Sequence, residues 1–290
     1  CLQLTNMDVD IDGTIKRYLE QSENNNSCIN EEISFISDHK INVIASDIAS
    51  FPFVVAKKAS LPSVFIGNFT WKGIYQLYLK NDSHPVIQEL TEQYGMADQS
   101  LITPMAMDMP ELNNRKKINL IARRGKNIRD ELNKKFNIPK ENKLVFFYAG
   151  NLGAGNVRSG LIGDIPDHTF ISFYPIDSPP ANYIYLENGS YPHHDVMSSS
   201  DLAMIKPGYG MISEALVNKV QIIYPPREDF AEYFAFKKEF EISGGSLLIE
   251  REDFEKGNWQ KSLSQIEDKK YNKNYSSNGA EECKKIIERF

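Results

Sequence analysis

The residues best placed to do chemistry form one run, Lys206-Pro207-Gly208-Tyr209-Gly210-Met211-Ile212-Ser213-Glu214. An apolar stretch, Asp201 to Ile205, reads as a short buried strand that meets this Gly-X-Gly turn. The chain then passes into a helical pattern from Met211 to Val217. A strand, a glycine turn and a helix start leave backbone N–H groups and the positive end of a helix dipole facing outward. An anion such as a diphosphate is the natural occupant. Gly208, Tyr209, Gly210 and Ser213 form the turn, and Lys206 could add a point charge. Glu214, on the first turn, is placed to accept hydrogen bonds from a sugar's hydroxyls. The competing readings are a glycine turn needed for packing alone and a lysine that is merely solvated.

Stepping outward, the second half alternates strands (Lys143 to Tyr148, His168 to Phe173, Tyr183 to Leu186, Leu202 to Ile205, Gln221 to Tyr224) with helices. That alternation predicts an open parallel sheet, which binds ligands beyond the carboxyl ends of its strands. The loop after Tyr148 contains Gly150, Asn151 and Gly153, whose small residues permit close backbone approach to phosphate. The loop after Tyr224 carries Arg227, suited to bidentate phosphate contact, then Glu228 and Asp229. Asp229 with Glu232 also spells a capping box for a helix over Asp229 to Phe240. Asp229 is thus the expected cap and Glu228 the better sugar ligand. His193 and His194 are adjacent, point apart and lack a third partner, so no metal is expected.

The first half shows the same pattern, with strands Ile41 to Ala45 and Ser63 to Ile66 and helices between. Helices are expected over Asp8 to Ser22 and Asn30 to Asp38, separated by a polar break at 23–27. Asp47 ends a strand, where a carboxylate is either a general base or a helix cap. Asn68, Trp71 and Tyr75 are a polar-aromatic group suited to stacking on a sugar ring, or to a core. The basic run Arg123, Arg124, Lys126 and Arg129 reads as a solvated face.

At 290 residues and a formal net charge of −6, the chain has room for two domains and shows no nucleic-acid footprint. No apolar stretch approaches a membrane span. Three cysteines (Cys1, Cys28, Cys283) are too scattered for a disulfide framework or zinc site, and a reducing cytoplasmic setting is the default.

The glycine-turn segment and its sequel Val220 to Tyr233 resemble the nucleotide-sugar half of GT-B glycosyltransferases. So do Ile41 to Asp47, Ser63 to Tyr75 and Arg251 to Trp259 in the same order. The whole resembles the glycosyltransferase-like proteins related to the N-terminal part of plant L-arabinokinase, and the second half resembles the family 28 glycosyltransferase C-terminal domain. The resemblance implies two Rossmann-like parallel-sheet domains, an acceptor-side one over 1–138 and a nucleotide-sugar-binding one over 139–290. It implies metal-independent sugar transfer from a nucleotide-sugar, with a UDP-sugar as the expected donor and no separate cofactor. It places Lys206 where plant glycosyltransferases carry a histidine, Glu214 at their ribose-binding glutamate, and Glu187 to His194 near the base. Members begin with a strand and a glycine- and histidine-rich loop not found here, so the first domain is expected to be truncated. The true base is then expected upstream, with Asp47 as the candidate within the chain. Two alternatives stay open: a non-catalytic nucleotide-sugar sensing module, and a nucleotide-sugar 2-epimerase.

Overall fold

The computed structural model describes residues 1–5, 7–150 and 157–290. Contacts divide the chain into two compact units. The first comprises Cys1–Ile121, Glu228–Ala235 and Asn278–Phe290, and the second Ala122–Arg227 and Phe236–Ser277.

In the first unit a short antiparallel pair, β1 (Leu2–Gln3) and β2 (Val9–Asp10), leads into the 28-residue helix α1 (Ile11–Asp38). The Asp10 carboxylate caps α1 by accepting from the Gly13 amide at 2.9 Å. The expected polar break at 23–27 does not occur. That stretch holds no Gly or Pro, and each polar residue costs a helix under about 0.7 kcal/mol. Gln21 bonds Asn25 at 2.8 Å, the Ser27 hydroxyl bonds the Asn24 carbonyl at 2.7 Å, and buried Ile29 and Ile36 anchor the far end.

Strands β3 (Ile44–Asp47), β4 (Ser63–Gly67), β5 (Gln99–Ile102) and β6 (Arg115–Lys117) pair in parallel, in that order. Helices α2 (Phe51–Ala59), α3 (Trp71–Leu79) and α4 (Pro85–Gly95) connect them. Alternation along a strand sends successive side chains to opposite faces. Accordingly Phe65 and Ile102 join a core with Phe53, Ile74, Leu90 and Tyr94. Val64 and Leu101 pack with Cys283 and Ile286 of the terminal helix Gly279–Ile287.

That helix was expected in the second domain. It is seated here because Glu282 accepts from both the amide and the side chain of Asn119, each at 2.9 Å.

The second unit holds α5 (Arg129–Phe136), β7 (Lys143–Tyr148), α6 (Ser159–Gly163), β8 (His168–Ser172), β9 (Tyr183–Tyr185) and α7 (His193–Ser198). It continues with β10 (Leu202–Ile205), α8 (Tyr209–Asn218), β11 (Gln221–Tyr224), most of α9 (Glu232–Ser243), β12 (Ser246–Leu248), α10 (Arg251–Lys256) and α11 (Gln260–Ile266). Its six parallel strands run β12-β11-β10-β7-β8-β9. β8 and β10 are buried along their whole length, as strands covered on both faces must be. On one face Trp259 lies 4.7 Å from the Phe147 ring and 5.1 Å from Phe170, with its indole N–H on the Phe254 carbonyl at 3.0 Å.

The unit begins at Ala122, ahead of the expected 138/139 boundary, because the basic run is not a solvated face. Arg124 donates to the Val217 carbonyl at 2.7 Å, the Gly125 amide to Asn218 at 3.1 Å and the Lys126 amide to Asp195 at 2.7 Å. Arg129 pairs with Asp201 at 2.8 Å. A Cβ on Gly125 would lie 1.9 Å from the His194 carbonyl oxygen, so the strap runs too close to α7 for any side chain there.

Truncating Trp259 to Ala should cost the second unit about 3–5 kcal/mol by leaving a cavity among aromatic rings. Native-state hydrogen exchange should show this loss in the amides of β7 and β8. Amides of β4 and β5, in the other core, should keep their protection.

Candidate functional site

The chain builds outward from β7 through β8 to β9, then returns to place β10 on the other side of β7. This reversal is a topological switch point, and open parallel sheets bind ligands in the crevice beyond the carboxyl ends at such a point. Ile205 pairs with Tyr148 at the end of the ladder, and the Lys206 amide continues it by donating to the Tyr148 carbonyl at 2.8 Å. The loops expected to hold a diphosphate therefore leave the sheet side by side.

Gly150, just past β7, has φ 107°, a backbone conformation that glycine adopts without strain. Asn151 and Gly153 lie outside the described residues. Across the switch point, Lys206 is buried, with 8% of its surface exposed, so it is not the solvated lysine that one reading expected. Gly208 is the cap position of α8 and offers no side chain to its amides. Its φ of −166° is ordinary extended backbone that any residue adopts. A Cβ added at Gly208 or at Gly210 would meet nothing within 4 Å. Among the described residues, neither packing nor conformation explains these two glycines, and none of those residues fills the space in front of them. Arg227, after β11, donates to the Pro207 carbonyl at 3.4 Å, which brings the loop after Tyr224 onto the same turn.

Glu214 sits on the next turn of α8. Its Oε2 is buried and has no hydrogen-bond partner among the described residues. Burial pushes the carboxyl up to about 7, and the Arg123 guanidinium offsets part of that rise. A shielded carboxyl without a donor suits a group waiting for hydroxyls. Arg123 is the neighbour that the sequence reading missed, since only the fold sets it against α8.

Several expected residues take other roles. Ser213 is fully buried and spends its hydroxyl on the Gly210 carbonyl at 3.0 Å, bracing the turn from inside. Glu228 is exposed and Asp229 half-buried, and both group with the first unit while Arg227 groups with the second. α9 begins at Glu232, three residues after the Asp229 start that the capping-box reading expected. Glu232 is buried and accepts from Asn68 at 2.6 Å, and Phe230 enters the first unit's core beside Phe69. Those long-range contacts hold this segment in the first unit. His193 stacks on Phe173 at 4.0 Å, and burial holds its imidazole below the usual value.

In the first unit Asp47 is exposed at the carboxyl end of β3, and its side chain has no partner among the described residues. It does not cap α2, whose cap position is Ser50. Tyr75 is core, Asn68 is buried against Glu232, and Trp71 remains partly exposed.

No protein-family model matches the chain. It is 24% identical over 267 residues to the L-arabinokinase of Arabidopsis thaliana, covering 89% of this chain and 25% of that protein. The chain thus spans about a quarter of the length of that curated relative. Among solved structures, the calicheamicin glycosyltransferase CalG4 superposes with a TM-score of 0.59 at 11% identity, over 88% of this chain and 72% of its own. The spinosyn rhamnosyltransferase SpnG gives 0.58 at 12% identity, over 84% and 69%. Arabidopsis thaliana UGT89C1 complexed with UDP gives 0.57 at 11% identity, over 83% and 68%. These similarities, with the parallel four- and six-stranded sheets, show that the chain has the GT-B glycosyltransferase fold.

Proposed function

We propose that the second unit binds the nucleotide part of a nucleotide-sugar and that the chain belongs to a glycosyltransferase. The observation that carries this reading is that no described residue fills the space before Gly208 and Gly210, beside a buried lysine and a helix start that no side chain caps at the switch point. The diphosphate would lie against the α8 amides, with Lys206 and Arg227 beside it and Gly150 allowing close approach. Glu214 would accept from the ribose hydroxyls. Likeness to a UDP-complexed structure supports UDP as the first nucleotide to test.

In transfer, the acceptor oxygen attacks the anomeric carbon as the bond to the β-phosphate oxygen breaks. Helix dipole and cationic groups receive the diphosphate's charge, and the acceptor's proton passes to a base. Asp47 is the base candidate within this chain.

Calorimetric titration should give saturable binding of UDP. Glu214→Ala should weaken it by about 1–3 kcal/mol while the fold is kept, the scale of lost charge-assisted hydrogen bonds. Absence of UDP and GDP binding, or a variant of unchanged affinity, contradicts the assignment. Binding without transfer to any acceptor would favour a sensing module instead.

Glu214 also predicts a pH dependence. Its pKa is raised from 4.5 to about 7 in the folded chain, so the folded state holds a proton that the unfolded state releases between those values. The stability this supplies is complete below about 4.5 and is lost as pH rises through about 7. Thermal melts at pH 5.5 and pH 8 should show that loss in the wild type and a smaller one in Glu214→Gln.

A further inference from the structure

The first unit contains a cavity of about 320 Å³ that the switch-point site does not use. Ser50, just beyond the carboxyl end of β3, forms part of its lining, where parallel sheets place ligands. Its two walls are chemically unlike. α1 contributes Arg17, Tyr18 and Gln21, spaced so that one helix face presents them together. α3 contributes Trp71 and Tyr75, whose ring centroids are 5.8 Å apart, and Tyr18 meets Tyr75 edge-on at 5.5 Å.

Trp71 is held firmly. Its amide donates to the Tyr94 hydroxyl at 3.0 Å, and that hydroxyl donates to the Ile48 carbonyl at 2.7 Å. Ile48, a β-branched residue at φ 67°, turns the chain directly after β3. The aromatic wall is thereby tied to the strand end.

Two features of the lining select a ligand. Arg17 makes no ion pair among the described residues. No carboxylate belongs to the lining, Glu89 lying beside the Tyr18 hydroxyl outside it. A guanidinium fork matches one carboxylate in geometry and charge, whereas a phosphate dianion would leave a negative charge uncompensated. Two tilted aromatic rings on one helix and hydrogen-bonding side chains on the other suit a ring that is apolar on one face and hydroxylated at its rim. The volume lies near the lower end of the roughly 300–1,000 Å³ typical of ligand pockets, so it holds a small ring.

We propose that this cavity binds a uronic-acid ring, with its apolar face against Trp71 and Tyr75 and its carboxylate on Arg17, as the acceptor or its terminal unit. The acceptor role rests on the transferase reading, but the binding itself does not. Titration of the chain with D-glucuronate and with D-glucose, followed by ligand-observed NMR, tests it. Glucuronate should bind at least about tenfold more tightly than glucose, the scale of one charge-assisted pair. Arg17→Gln, at an exposed position, should abolish that preference while leaving glucose binding unchanged, and Lys16→Gln on the same helix should preserve it. No glucuronate binding, equal binding of the two sugars, or a preference that survives in Arg17→Gln overturns the proposal. Titration of the same samples with UDP and GDP separates the two readings. Glucuronate binding without binding of either nucleotide overturns the donor assignment and supports this one, and nucleotide binding without glucuronate binding does the reverse.

Discussion

The pairing of β7 with β10 is the constraint on which the second unit depends. These two strands are sequence-distant neighbours at the centre of the sheet, and their parallel register puts Tyr148 opposite Ile205. Both are apolar because both faces of the sheet are covered. Once they pair, the chain segments leaving their carboxyl ends have to emerge together. The Lys206 amide bonds the Tyr148 carbonyl, and nothing on either strand continues the ladder past that point. The crevice is thus a consequence of topology, and the side chains around it decide its chemistry.

Those side chains are electrostatically unusual for so central a position. Lys206 is buried, the start of α8 is uncapped by any side chain, and Arg227 reaches the Pro207 carbonyl. In the proposed site these groups would face a bound diphosphate, where charge interactions are less screened than in bulk water. One turn behind lies Glu214, whose desolvation favours the neutral form. Donors from a bound hydroxylated ring would compensate that desolvation. In the proposed function these groups would serve as an anion seat followed by a hydroxyl acceptor, in the order diphosphate then ribose along one helix.

The sequence exposed the parts whose signals are local. β10 and α8 were legible because a buried strand, a glycine turn and a helix start follow one another within a few residues. β4, β7, β8 and β10 were legible as apolar runs, whereas β5, β6 and β12 were not expected: β6 is three exposed basic residues and β12 is only partly buried. What stayed hidden was decided by distant partners. Nothing local says that α1 continues through a polar stretch, that Arg124 will reach Val217, or that Glu282 will bind Asn119. The same holds for Glu232, whose partner Asn68 lies 164 residues away along the chain. Gly208 and Gly210 were ambiguous from sequence because a packing role and a ligand role write the same letters. That no described residue fills the space before them favours the ligand role.

The central claim is that the crevice between β7 and β10 seats a nucleotide diphosphate. Hydrogen exchange of the chain with and without saturating UDP measures this at the level of individual segments. The account predicts that added protection concentrates in the peptides covering 206–214 and 148–150, with none in those covering 44–50. Protection confined to the first unit, or no change anywhere at concentrations that saturate binding, would contradict it.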